Sequence, residues 1–131
     1  MSDERVINLK HPEPSRNVLF ISDKAVLDGT KPIRGGIPLV FPVFGSAAGF
    51  PNHGFARITN WSLTLLEQTV GDASTPTVAT FQLDASDASK AMYPHDFSLR
   101  YEVKLFAEAL TTALHVVNNS DGEISFQALL H

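Results

Sequence analysis

Arg34, His53 and Arg57 stand in a stretch that otherwise carries mostly glycine, proline and apolar residues. They belong to the segment KPIRGGIPLVFPVFG (Lys31–Gly45) and to HGFAR, which begins eight residues later. A guanidinium in such surroundings needs an anionic or oxygen-rich partner, and no acidic residue occurs from position 32 to 66. Its planar donor fork suits phosphate or sugar oxygens. These residues therefore predict one wall of a pocket for a polar ligand.

Each of these side chains also has a structural interpretation. Arg34 and Arg57 could be surface arginines beside a loop, and a lone histidine such as His53 is more often structural than catalytic. We interpret His95 and His115 as structural, because no neighbouring residue supports a chemical role. The sequence has no histidine pair with metal-ligand spacing, no nucleophile elbow, no P-loop and no dinucleotide fingerprint. It therefore predicts neither a metal nor a cofactor.

His131 is placed by the alternation of the segment that precedes it. Apolar residues recur at every second position from Ile124 to Leu130, so His131 falls on the opposite face, in line with Ser125 and Gln127. A histidine at the end of a strand, on its polar face, can reach a cleft. It can equally be a solvated end, and periodicity alone favours that interpretation.

Composition excludes several classes of protein. The 131 residues carry a net charge of −4 with ten lysines and arginines spread along the chain, which argues against a nucleic-acid surface. The absence of cysteine excludes disulfides and thiolate metal sites. The N-terminus lacks the apolar core of a secretory signal, and prolines interrupt the longest apolar runs. We expect a cytoplasmic protein without membrane contact.

The elements that must position these residues are mainly β-strands. Phe97–Phe106 is the clearest, with apolar and polar residues alternating, and Ser86–Met92 is the one short helix before Pro94. Residues 118–122 (NNSDG) predict a turn. The chain thus predicts an all-β fold, an antiparallel β-sandwich. The other strands are predicted at Asn17–Ile21, Trp61–Glu67 (with Trp61, Leu63 and Leu65 on one face), Thr77–Leu83, Leu110–Val117 and Glu123–His131.

Four segments together resemble the hexose-6-phosphate mutarotases, or glucose-6-phosphate 1-epimerases, of the aldose 1-epimerase superfamily. They are KPIRGGIPLVFPVFG, HGFAR, YPHDFSLRYEVKL and LTTALHVVNNSDGEISFQALLH, and the resemblance covers roughly Asn17 to His131. It implies a sandwich of the galactose mutarotase-like type and interconversion of the α and β anomers of glucose 6-phosphate without a cofactor. In that chemistry a histidine protonates the ring oxygen while a glutamate removes the anomeric hydroxyl proton.

The resemblance also implies roles for individual residues. Arg34 and Arg57 match substrate-binding arginines, and His53 matches a pocket histidine that helps to hold the sugar. Asn52 stands where the family typically has a substrate-contacting glutamine that is one methylene longer. His131 matches the general-acid histidine.

The sequence departs from the family pattern in what it lacks. The resemblance places the catalytic glutamate and a substrate-binding aspartate beyond His131, and Glu102, Glu108 and Glu123 do not lie in the corresponding motif. The residues HPEPSR replace an expected pair of strands near the N-terminus. We therefore expect one partial mutarotase-like domain over residues 1–131, incomplete at both ends, with little or no turnover.

Three functional hypotheses follow. The first is hexose-6-phosphate 1-epimerisation with a small-molecule sugar phosphate as the partner, and the second is a non-catalytic module that binds a sugar phosphate. The third is a fragment that folds poorly and has no function of its own. An incomplete sheet would leave an open edge, so we also expect self-association through that edge.

Overall fold

A computed structural model describes Val6, Leu9 and residues 17–68 and 74–131. These residues fall into two compact units, the first from the ranges Met1–Asn60 and Phe126–His131 and the second from Trp61–Ser125. In chain order, the elements are strand β1 (Leu39–Val40), a 3₁₀ turn η1 (Ala56–Ile58), strands β2 (Ser62–Glu67) and β3 (Thr77–Asp84), helix α1 (Asp87–Met92), and strands β4 (Phe97–Leu105), β5 (Leu110–Asn118) and β6 (Leu129–Leu130).

The second unit is built on a four-stranded antiparallel sheet with the strand order β2-β3-β4-β5. The period-two pattern of β4 decides its faces: Phe97, Leu99 and Tyr101 are buried, whereas Arg100 between them is exposed. Trp61 packs against Tyr101 with ring centroids 6.4 Å apart. Burial raises the pKa of the Tyr101 phenol. The four strands predicted in this unit are confirmed, and each differs from its predicted range by one residue at one end.

Local polar contacts fix the predicted helix and turn of the second unit. Ser86 caps α1, because its hydroxyl accepts the Ser89 N–H while the Ser89 hydroxyl accepts the Ser86 N–H. The 118–122 turn is closed by the side chain of Asn118, which donates to the Gly122 carbonyl and accepts the Ser120 N–H. Both predictions are confirmed.

The prediction that Trp61, Leu63 and Leu65 share one face of β2 is wrong. Trp61 is buried, but Leu63 and Leu65 are 54% and 40% exposed. The register between β2 and β3 shifts between these two leucines, so the strict alternation that would place all three side chains on one face is broken. β2 and β5 are the outer strands of this sheet. Self-association through such an edge stays a prediction.

The strand predicted at Asn17–Ile21 does not form. Asn17 and Ile21 each take part only in an isolated bridge, that of Ile21 with Gly35, and Gly35 has a φ of 144° that interrupts an extended ladder. The Asn17 side chain accepts the N–H groups of Leu9 and Leu19, so these donors bond to a side chain instead of a neighbouring strand. The HPEPSR segment lies outside the described residues.

The last predicted strand, Glu123–His131, shortens to Leu129–Leu130. Its antiparallel partner β1 has only two residues, because Pro38 and Pro42 lie on either side and have no N–H to donate. Upstream of β6, Gln127 makes two isolated hydrogen bonds, to Pro42 and Phe44, in place of a ladder. Its N–H donates to the Pro42 carbonyl, and its side-chain oxygen accepts the Phe44 N–H, each at 2.8 Å.

Within the described residues, no helix is long and apolar enough to cross a membrane. The expectation of a single domain over residues 1–131 stays a prediction.

Candidate functional site

The first unit contains a pocket of about 970 Å³ that brings four of the five predicted site residues together. Arg34, His53, Arg57 and His131 all line it, although they come from three separate parts of the chain. The volume lies in the range that holds small-molecule ligands. The other lining residues are Phe20, Lys31, Pro32, Ile33, Gly35, Gly36, Pro38, Val40, Phe44 and Leu129.

Arg34 is held by the glycine pair that follows it. Its carbonyl accepts the Ser22 N–H at 2.8 Å, and Gly36 donates to the Phe20 carbonyl at 2.9 Å. A Cβ at Gly35 would lie 2.6 Å from both the Phe20 carbonyl oxygen and the Ile21 Cα, so only glycine permits this approach. The RGG sequence therefore fixes the backbone from which the exposed Arg34 side chain reaches the pocket.

HGFAR is anchored to the backbone of Phe41. The Phe41 carbonyl accepts the N–H groups of Phe55 and Ala56 at 3.0 and 3.3 Å, which sets the start of the η1 turn. The half-buried Arg57 is the second residue of η1, and its Nη2 donates to the Asn52 carbonyl at 2.9 Å. Part of the guanidinium is thus used to hold the loop, while Arg57 also lines the pocket.

His53 adopts a left-handed backbone with a φ of 65°. Its N–H donates to the Gly45 carbonyl at 2.8 Å, and its Nδ1 accepts the Gly45 N–H at 3.1 Å. The Phe44 ring packs against the imidazole at a centroid distance of 5.2 Å. Because Nδ1 is an acceptor, a neutral imidazole here carries its proton on Nε2, which leaves Nε2–H as the remaining donor.

Asn52 is the one predicted site residue that does not line the pocket. Its side-chain oxygen accepts the Ser46 hydroxyl at 3.3 Å, and its carbonyl accepts Arg57. In this structure Asn52 closes the loop that carries His53 and supports Arg57. Its direct contact with a substrate stays a prediction.

His131 reaches the pocket through the pairing of β6 with β1. Leu130 lies opposite Leu39 and Leu129 opposite Val40, and Val40 and Leu129 also line the pocket. His131 follows directly and is exposed at its edge. Periodicity favours a solvated end, and His131 is exposed, but it also lines the cavity. Its role as the general acid stays a prediction.

Lys31 is a lining residue that the sequence analysis did not select. Together with Arg34 and Arg57 it gives the pocket three cationic side chains, and none of the described lining residues is acidic. The signal was present in the sequence, because Lys31 precedes the same acid-free stretch as the two arginines. The lining is therefore suited electrostatically to an anion. Across the described ranges, no group of three or more histidine, aspartate or glutamate side chains could hold a metal ion.

The sequence profile of the aldose 1-epimerase family matches residues 5–131. The chain belongs to this family. A protein of Salmonella typhimurium named "Putative glucose-6-phosphate 1-epimerase" is 34% identical over an alignment of 117 residues, and the match covers 79% of this chain and 38% of the relative. A protein of Escherichia coli with the same name is 37% identical over 90 residues, 67% of this chain and 29% of that protein.

A solved structure described as "a putative mutarotase (YeaD)", also from Salmonella typhimurium, superimposes with a TM-score of 0.80. It is 29% identical, and the match covers 97% of this chain and 40% of that one. This confirms the predicted antiparallel all-β, mutarotase-like fold class and its partial character. The chain spans less than two fifths of the length of the two named epimerase relatives.

Proposed function

We propose that the chain binds a hexose 6-phosphate and contributes to the interconversion of its α and β anomers. The pocket is the observation that carries this proposal: three cationic side chains and two imidazoles surround a cavity without a carboxylate among its described lining residues. A phosphate monoester bears a charge of about −1.5 to −2 at pH 7. Arg34 and Arg57 can bind it, or the sugar oxygens, through two donors each.

In the proposed reaction His131 is the general acid. It protonates the ring oxygen of the sugar while a base takes the proton of the anomeric hydroxyl, so that the bond between C1 and the ring oxygen breaks and an aldehyde forms. Rotation of the aldehyde and the reverse proton transfers close the ring as the other anomer. The net reaction consumes nothing, because each proton is returned.

The base is the part of this scheme that the described pocket does not supply. Family resemblance assigns it to a glutamate, and none of the described lining residues is a carboxylate. Loss of a general base typically costs about 10²- to 10⁴-fold in rate. We therefore propose that a polypeptide of these 131 residues alone binds substrate but turns it over slowly or not at all.

The test measures the exchange between the two anomers of glucose 6-phosphate by two-dimensional NMR. We expect little acceleration from the 131 residues, and clear acceleration when they are continued by the remaining sequence of the Salmonella relative. In this longer polypeptide, replacing His131 with glutamine should lower the rate by about 10²-fold or more. His95→Gln is the control, because His95 packs against Tyr93 in the other unit. Absence of exchange in a folded longer polypeptide contradicts the proposal.

A second candidate is the non-catalytic sugar-phosphate module, which the acid-free cationic lining also favours. Measurements of glucose 6-phosphate binding and of anomer exchange together distinguish the epimerase from the binding module. A module binds glucose 6-phosphate with an affinity that depends on Arg57, yet leaves the rate of anomer exchange unchanged even in the longer polypeptide.

Two substitutions of His53 should rank differently in stability and in affinity for glucose 6-phosphate. In His53→Asn the side-chain oxygen can still accept the Gly45 N–H and asparagine tolerates the left-handed backbone, so the fold should survive while the Nε2–H donor is lost. In His53→Gln an amide N–H can stand near the position of Nε2, but the loop should lose about 1–2 kcal/mol of unfolding free energy.

We therefore expect the asparagine variant to be the more stable of the two and the glutamine variant to bind glucose 6-phosphate more tightly. Urea unfolding and calorimetric titration measure the two orders. If one variant is both the more stable and the tighter binder, His53 does not act as a ligand donor that Gly45 holds in place.

A further inference from the structure

Lys31 enters the pocket directly after a turn in which Thr30 binds the Asp28 carboxylate. The Asp28 carboxylate accepts the Thr30 N–H at 2.9 Å and the Thr30 hydroxyl at 2.6 Å, both at Oδ1. The Thr30 hydroxyl above all, together with the Thr30 amide, lowers the pKa of Asp28, and the charge of Lys31 adds to this. Asp28 is thus an anion engaged with Thr30.

Lys31 itself forms no ion pair with any residue in the described part of the chain. Pro32, the next residue, restricts the Lys31 backbone to extended conformations. Arg34 follows three positions after Lys31. Lys31 and Arg34 therefore line the same cavity from one short, constrained segment. An exposed ammonium on such a segment can meet an anion with little reorganisation of the backbone.

A third cation matters only for a charged ligand. A hexose without phosphate carries no charge and gains little from an ammonium at the edge of the pocket, whereas a phosphate monoester carries about −1.5 to −2. Lysine binds phosphate as a compact point charge, which complements the bidentate geometry of the arginines.

We propose that Lys31 contacts the phosphoryl group and makes this pocket select phosphorylated over unphosphorylated hexoses. The inference rests on the proposed function for the identity of the sugar, but the anion contact itself does not depend on it.

The experiment compares Lys31→Gln, Lys31→Arg and the control Lys24→Gln in the 131-residue chain. Lys24 is exposed, belongs to the same unit and does not line the pocket, so its replacement removes the same charge from another place. Calorimetric titrations use glucose 6-phosphate, glucose and inorganic phosphate, each at two salt concentrations.

We expect Lys31→Gln to weaken the binding of glucose 6-phosphate and of inorganic phosphate about tenfold and to reduce their salt dependence. Lys31→Arg should retain most of the affinity, Lys24→Gln should bind like the unaltered chain, and glucose affinity should not change. Equal losses in Lys31→Gln and Lys24→Gln, or an equal loss for glucose, overturn the proposal. If inorganic phosphate binds through Lys31 but glucose 6-phosphate binds no better, the proposed function fails while the anion contact stands.

Discussion

Gly54→Ala is expected to remove the stable fold of the first unit and, with it, the binding of glucose 6-phosphate. A Cβ at this position would lie 2.0 Å from the Phe41 carbonyl oxygen, and Gly54 has a φ of 76°, which costs any other residue additional energy. That oxygen also accepts the N–H groups that begin the turn carrying Arg57. We expect a loss of about 3 kcal/mol or more in unfolding free energy, a large part of what a small domain has.

Gly49→Ala is the matched control for this prediction. Gly49 also has a positive φ, 81°, but a Cβ there meets nothing within 4 Å. Gly49→Ala should lower the unfolding free energy only by the cost of placing alanine at a positive φ, about 1–2 kcal/mol. The free energy is measured from hydrogen exchange of the Phe55 and Ala56 amides at increasing urea, because these amides report on the contact itself. Equal losses in the two variants would show that the approach to Phe41 is not what requires glycine.

Arg57→Ala is expected to weaken the binding of glucose 6-phosphate about 100-fold, which corresponds to about 2.7 kcal/mol. Removing the guanidinium takes away charge-assisted hydrogen bonds in a half-buried place and the bond to the Asn52 carbonyl. Arg57→Lys should recover only part of the affinity, since one ammonium cannot hold Asn52 and present a planar fork to the ligand.

Calorimetric titration measures this loss, with Arg100→Ala as the control for net charge. Arg100 is exposed on β4 in the second unit and takes no part in the pocket. Hydrogen exchange of the His53 amide, which donates to Gly45, shows whether the loop stays closed in the variant. Unchanged affinity in Arg57→Ala would remove Arg57 from the binding site.

The site was predictable to the extent that its signal is local. Arg34, His53 and Arg57 could be selected because each stands in surroundings without acidic residues, and all three line one cavity. Asn52 was selected by resemblance and supports the loop from outside the lining, while Lys31 was overlooked because it looks like an ordinary loop lysine. The acid-free stretch that follows Lys31 was a weak signal for it, but only the convergence of separate segments in the tertiary structure shows that Lys31 lines the pocket and Asn52 does not.

The sequence by itself determined the strands of the second unit, its short helix and the cationic composition of the pocket wall, because alternation, helix formation and charge depend on residues close in the chain. Tertiary structure decided the rest. Gln127 bonds to Phe44 across 83 positions, and β6 is limited to the two residues that β1 offers between its prolines. The His53 tautomer, likewise, depends on the Gly45 amide. Such contacts form only when distant segments meet, and a local pattern does not encode which segments those are.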